Sequence, residues 1–253
     1  MLSPSLIVAR KEILDHSRDT RSLVSSVFYA LMGPMVVLLV SFAKPGSAKS
    51  DESLAVLIGM MSVFALVAAF VGGNNLAMDA IAGERERRSL LPLLLNPIRR
   101  RDVLTGKWLA ISLFAVFGLI INLLAFAILF HRGWYVWCSI ALGLVPLALF
   151  AAALELLIST VCSNLKEAHT YLSLLVFLPM GAGMFAVFYP PAAAGVLSWL
   201  PVIGHQSLIA LSSRGEIPAA RSIGLALITL ACTSIALWSA AKMLYRDEVV
   251  YGG

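Results

Sequence analysis

The chain has 253 residues, a formal charge of +5 and 60% hydrophobic residues, with only 13% Asp, Glu, Lys and Arg, about half the charged share of a soluble domain. With a mean hydropathy of +0.89, this excludes a water-soluble globular enzyme, because no core of this size hides so much apolar surface. The basic excess is no nucleic-acid footprint either, since the basic residues flank apolar runs and no soluble domain displays them.

In chain order, residues 1–21 form a lead-in in which Leu6, Ile7, Arg10, Ile13 and Leu14 follow a helical stripe, with Lys11, Glu12, Asp15 and Asp19 for the wet side. This pattern predicts an amphipathic elbow helix lying along the membrane surface. The next apolar run is about twice the length of a signal-peptide core and contains Gly33 and Pro34, so it reads as an uncleaved first span.

Six runs are long enough to cross about 30 Å of hydrocarbon as helices: residues 22–42, 54–78, 108–130, 134–161, 171–189 and 219–241. Together they predict an all-α polytopic fold, a single transmembrane domain over 22–241, with a tail at 242–253. Residues 192–211 are apolar but carry Pro201, Gly204, His205 and Gln206. They are expected outside the bilayer, with a re-entrant segment and an interfacial helix as open alternatives.

An even number of spans puts both termini on one side. The segments on that side hold fourteen basic residues, against five on the other: Lys44, Lys49, Arg132, Arg214 and Arg221. The positive-inside rule therefore predicts both ends in the cytoplasm. Trp108, Trp134, Tyr135 and Tyr189 stand at span ends, where amphipathic rings favour the headgroup level.

Between spans two and three lies "GERERRSLLPLLLNPIRRRDVLTGK", residues 83–107, which holds seven of the nineteen Lys and Arg residues around a leucine cluster. A charged rim around an apolar insert suits a docking surface. Within the spans, Glu155 is the main carboxylate, with three readings: an interfacial residue, a gating or translocation residue, or an inter-helix contact. Asn74 and Asn75 beside Gly72 and Gly73, and Asn122 in span three, are further candidates for a polar passage, with helix packing as the alternative. Pro179 with Gly181 and Gly183 predicts a kink or hinge in span five.

No G-x-x-x-x-G-K-[ST] phosphate loop, H-E-x-x-H pair or G-x-S-x-G elbow occurs, so no recognised route to ATP hydrolysis lies in the chain. The four histidines, His16, His131, His169 and His205, and the three cysteines, Cys138, Cys162 and Cys232, lack metal-ligand spacing. No metal site is expected.

The run Gly83, Glu84, Arg85, Glu86 and Arg87, followed by Ser89, Leu90, Leu93, Leu94, Leu95 and Pro97 and closed by Gly106 and Lys107, resembles the cytosolic connector of type-2 ABC exporter permeases, particularly their sodium-efflux subunits. The stretches "ARKEILDHSRDTRSLVSS", "STVCSNLKEAHTYLSLLVFLPM" and "WLPVIGHQSLIALSSRGEIP" are similar to the family's elbow, its link between spans four and five, and its external segment. Leu91 departs from the pattern, where family members often carry Glu.

The resemblance implies a permease of a bacterial or archaeal cytoplasmic membrane in which the connector is a coupling helix, residues Glu84 to Pro97 contacting a separate ABC ATP-binding subunit that holds ATP and Mg2+. It also implies a second permease subunit, identical or related, surrounded by lipid. Na+ is the cargo it suggests. A lipid, antibiotic or other hydrophobic cargo, and a scaffold that docks an ATPase without transport, are the alternatives.

Overall fold

The computed structural model describes residues 3–43, 51–90, 92, 95, 98–190, 195–216 and 219–245. Among these, every regular element is helical: α1 (Pro4–Arg18), α2 (Thr20–Ala43), α3 (Asp51–Val71), α4 (Asn74–Met78), a π-turn (Asp79–Gly83), α5 (Glu84–Glu86), α6 (Arg100–Leu129), α7 (Trp134–Val161), α8 (Leu165–Leu175), α9 (Phe177–Phe188), a 3-10 turn (Gly195–Trp199), α10 (Pro201–Ser213) and α11 (Ala219–Leu244). Six helical runs are long and apolar enough to cross a membrane: Thr20–Ala43, Ala55–Glu86, Arg100–Leu129, Trp134–Val161, Leu165–Phe188 and Ala219–Leu244. The protein is multi-pass and all-α.

Three of these runs extend well past the apolar segments read from sequence. The second reaches Glu86, the third starts at Arg100 and the fifth starts at Leu165, because local chemistry carries the helix beyond hydrocarbon. Asp102 lies in the first turn of α6, where a negative charge faces the positive end of the helix dipole. At α8, Asn164 Oδ1 accepts from Glu167 N at 2.9 Å while Glu167 Oε2 accepts from Ser163 N at 2.8 Å. This reciprocal arrangement satisfies amides that the first turn leaves open.

The fifth run breaks at Val176, between α8 and α9. Pro179, three residues on, has no N–H to give to the Leu175 carbonyl, and its ring crowds that carbonyl. The expected kink therefore falls at Val176, just after the carbonyl that Pro179 leaves without its helical donor.

Two glycine contacts set how closely the helices approach. A Cβ on Gly118 of α6 would lie 3.0 Å from the Gly72 Cα, and one on Gly106 would lie 2.6 Å from the Ser5 carbonyl oxygen. Side chains at either place would push α6 off α3 or α1. Around these crossings Leu66, Phe70, Leu119, Phe126, Leu144 and Leu147 pack one buried cluster. Leu76, Ile81, Leu104, Ile111, Leu156, Leu172 and Leu244 pack a second, nearer the connector. Phe42, Ile128, Leu142, Phe188, Leu227 and Trp238 remain exposed on the outer faces, the apolar surface that hydrocarbon covers.

The elbow is helical as expected, with Lys11, Asp15 and Asp19 exposed, but one residue of the wet side is not. Glu12, placed on the wet side from the stripe, is buried together with Val8, Ala9 and His16, whereas Leu6, Ile7 and Leu14 are exposed. The helix lies against α6 through the face opposite its stripe. Residues 192–211 also differ from a loop outside the bundle. Their described part is a 3-10 turn and α10, and Val202, His205, Gln206, Leu208 and Ile209 are buried against α3, α7 and α9. His205 Nδ1 donates to the Pro201 carbonyl one turn back, which lets an imidazole sit inside an apolar contact.

Candidate functional site

Where the second and third helical runs meet the connector, Lys107 is buried at 1% exposure. Its Nζ donates to Glu12 Oε1 at 2.8 Å and to Glu84 Oε1 at 2.9 Å. One ammonium thus joins the elbow helix, the start of α6 and the first residue of α5. Burial by itself would raise the Glu12 carboxyl, but the neighbouring Lys107 ammonium holds it below the usual carboxylate range. Gly106 makes the arrangement possible, since its bare Cα lets α1 come within reach of the following lysine.

The neighbouring charges are also used within the chain. Arg85 donates Nη2 to the Thr160 carbonyl at 2.9 Å and Nη1 to the Cys162 carbonyl, closing the C-terminal end of α7. Glu86 Oε2 accepts from Leu165 N at 2.8 Å. Arg87 pairs with Asp79 at 3.0 Å on the surface, and Ser89 Oγ donates to the Glu84 carbonyl at 3.2 Å. Arg88 follows with φ 56°, turning the chain out of α5 in the left-handed conformation that ends many helices.

The residues drawn as a docking surface from sequence sit in different surroundings. Glu84 and Leu90 face inward, Leu90 at 1% exposure, and Arg85 is fastened to the end of α7. They hold the connector to the bundle. Leu95, at 76% exposure, does point outward. Leu91, Leu93, Leu94 and Pro97 lie outside the described residues.

The four polar candidates in the spans divide into two kinds. Asn75 Nδ2 reaches Ser22 O at 3.2 Å, Ser25 Oγ at 2.8 Å and Ser26 Oγ at 3.2 Å, and Asn122 Nδ2 reaches Ala30 O at 2.7 Å. Both amides fasten neighbouring helices to α2, and Asn122 leaves its Oδ1 buried without a partner. Glu155 differs: it is 1% exposed and neither carboxylate oxygen has a hydrogen-bond partner. Its Oε2 lies 3.1 Å from where a Cβ on Gly73 would stand, so the carboxylate faces the break between α3 and α4. Asn74, next along that break, also has a buried and unpartnered Oδ1.

One helical turn from Glu155, Ser159 Oγ accepts from both Ile81 N and Ala82 N at 3.2 Å, amides of the π-turn. Cys162, at the end of α7, is a free thiol that burial and the nearby Glu167 push up to about 11, too high for a nucleophile at neutral pH.

Sequence reading missed Glu12, Lys107 and Asp79 as parts of this site. The available signal was Lys107 itself, a lone cation directly before an apolar run and directly after a glycine.

Residues 6–201 match the family described as ABC-2 family transporter protein. The chain is 36% identical over 159 residues to the ABC transporter permease protein NatB of Bacillus subtilis, covering 57% of this chain and 41% of that relative. It is 32% identical over 164 residues to the probable ABC transporter permease protein NosY of Pseudomonas aeruginosa, covering 56% of each. The chain spans about half the length of these curated relatives. Its family match over three quarters of the sequence, joined to six membrane-length helices and a fastened connector, makes this chain a multi-pass membrane member of the ABC-2 family of transporter proteins.

Proposed function

We propose that this chain is the membrane subunit of an ATP-driven exporter of a bacterial or archaeal cytoplasmic membrane, with both termini and the connector in the cytoplasm. A separate ABC ATP-binding subunit, carrying ATP and Mg2+, docks on the connector, and a second permease subunit completes the pathway within the lipid. The buried Glu12–Lys107–Glu84 junction carries this reading. A push on a connector that hung loosely from the spans would be absorbed in the loop, whereas one fastened to α1 and α6 by two charge-assisted bonds passes displacement to two helices at once.

For the cargo we propose Na+. The support within the chain is a cluster poor in donors: Glu155 and the Asn74 carbonyl present buried oxygens without partners, and hard cations take oxygen ligands. The test is reconstitution of this chain with its ATPase in sealed vesicles. ATP-dependent movement of 22Na+ that disappears with a hydrolysis-dead ATPase is the expected result. Complex formation with stimulated hydrolysis but no Na+ movement would remove the cargo assignment and leave the docking assignment standing.

A further inference from the structure

At the end of the bundle opposite the connector, a cavity of about 900 Å3 opens between α3, α9, α10 and the start of α11, within the range that holds a drug-sized ligand. Three arginines line it: Arg132 after α6, Arg214 at the end of α10 and Arg221 in α11. No Asp or Glu lines it among the described residues, and none of the three arginines forms an ion pair there. Arg221 Nη2 donates to Ser207 Oγ at 2.9 Å. Deeper, Gln206 Nε2 donates to Ser62 Oγ at 2.6 Å, leaving the Gln206 Oε1 buried and without a partner. The remaining wall is apolar, with Ile58, Val187 and Ile203 among the lining residues.

The location makes this charge informative. Only five of the nineteen basic residues fall on that side of the six-span topology, because cations flanking spans are biased to the opposite side. Three of those five converge on this one cavity, and the other two, Lys44 and Lys49, lie outside the described residues. Orientation of the spans gives no reason to place them there, and folding gives little, since Arg132 and Arg214 are exposed at the rim. Guanidinium groups present planar donor pairs that match phosphate and carboxylate oxygens. An apolar wall beneath them suits an alkyl tail.

We propose that this cavity binds an amphiphile with an anionic phosphate or carboxylate head, the head held by Arg132, Arg214 and Arg221 and the tail against the Ile58–Val187 wall. The site goes beyond the coupling function proposed above and does not depend on Na+ being the cargo. The head can belong to a membrane lipid or to a free amphiphile, and the recognition chemistry is the same for both.

The experiment is equilibrium binding of radiolabelled decyl phosphate to the whole chain in phosphatidylcholine nanodiscs, without any ATPase. Saturable binding is expected, weakened about tenfold or more in R132Q/R214Q, since charge-assisted donors are lost, and restored in R132K/R214K. Both arginines are exposed, so the variants fold; an unchanged melting temperature checks this, and the single variants R132Q and R214Q serve if the double variant melts early. Displacement by dioctanoyl phosphatidylglycerol supports the site with a lipid as its source, and displacement by decanoate alone supports it with a free amphiphile. Equal retention of decyltrimethylammonium, unchanged affinity in R132Q/R214Q, or absence of saturable binding would overturn the proposal. Equal occupancy by inorganic phosphate would overturn the part assigned to the tail.

Discussion

Lys107 Nζ lies 2.9 Å from Glu84 Oε1 across twenty-three residues of sequence, with the lysine 1% and the glutamate 13% exposed at the side chain. The same ammonium holds Glu12. Lys107→Met leaves two part-buried carboxylates facing each other with only the exposed Lys11 ammonium, 3.5 Å from Glu12, a loss on the order of 3–5 kcal/mol for a broken buried pair. Thermal unfolding in detergent is expected to show a markedly lower midpoint. The triple variant with Glu12→Gln and Glu84→Gln recovers part of it, since no stranded charge remains.

The same junction predicts an acid limit. The folded chain holds Glu12 below the ordinary carboxylate value of 4.5, so the unfolded chain takes up the proton first as pH falls. The stabilisation is complete above the unfolded value and is lost as pH drops through the lower folded one. Unfolding midpoints measured between pH 3 and 7 are expected to be flat at the upper end and to fall below about pH 4.5. Glu12→Gln is expected to flatten part of that fall, and an unchanged profile would speak against the ion pair.

Gly106→Val places methyl groups where the Ser5 carbonyl and the Val8 side chain already stand, at 2.6 and 2.7 Å from the new Cβ. The elbow helix must shift, at a cost of about 1–3 kcal/mol for an overpacked contact. The expected signature is faster limited proteolysis within residues 4–18, with the six spans still inserted. Proteolysis at the wild-type rate would mean that the elbow is already detached in the membrane.

Glu155→Gln removes a carboxylate without partners and keeps its shape. Stability is therefore expected to stay level or rise slightly, while ATP-dependent Na+ movement falls about tenfold or more. If transport survives intact, Glu155 is an architectural residue and the ion path lies elsewhere.

Leu93 and Leu94 together, and Leu95 alone, test the docking surface. Replacing Leu93 and Leu94 with Asp, or Leu95 with Asp, is expected to reduce recovery of the ATP-binding subunit and to abolish coupled transport while membrane insertion is retained. Leu95 is exposed, so its substitution acts on the partner contact rather than on folding. Leu90→Asp, in contrast, buries a charge in the cluster of Leu76, Ile81 and Leu104 and is expected to lower stability first.

The spans were legible because long apolar runs need only composition to be recognised, and the elbow because its apolar residues recur at helical spacing. The burial of Glu12 in that elbow was not legible. Glu12 reads as a solvent residue in any local window, since its partner Lys107 stands ninety-five residues away and periodicity carries no information about such a pairing. In the connector the intrachain partners of Glu84 and Arg85, Lys107 and the end of α7, were not legible for the same reason. In α10, Gly204, His205 and Gln206 look like loop residues, but His205 Nδ1 donates to the Pro201 carbonyl one turn back and Gln206 Nε2 donates to the distant Ser62 Oγ, a pairing that no local window reveals.

The π-turn at Asp79–Gly83 fits one residue more into its length than an α-helical turn would, and Ser159 receives the two amides this releases. Each added residue advances the helix by about 100°, so the turn sets the phase of everything that follows it. Wound as plain α-helix without that turn, the same residues would carry Glu84 about 100° away from Lys107. The junction is thus vulnerable to a change of reading length as well as to a change of side chain: a one-residue insertion in 74–83 turns Glu84 out of reach, whereas a deletion within Asp79–Gly83 that lets the turn close to α keeps it in phase.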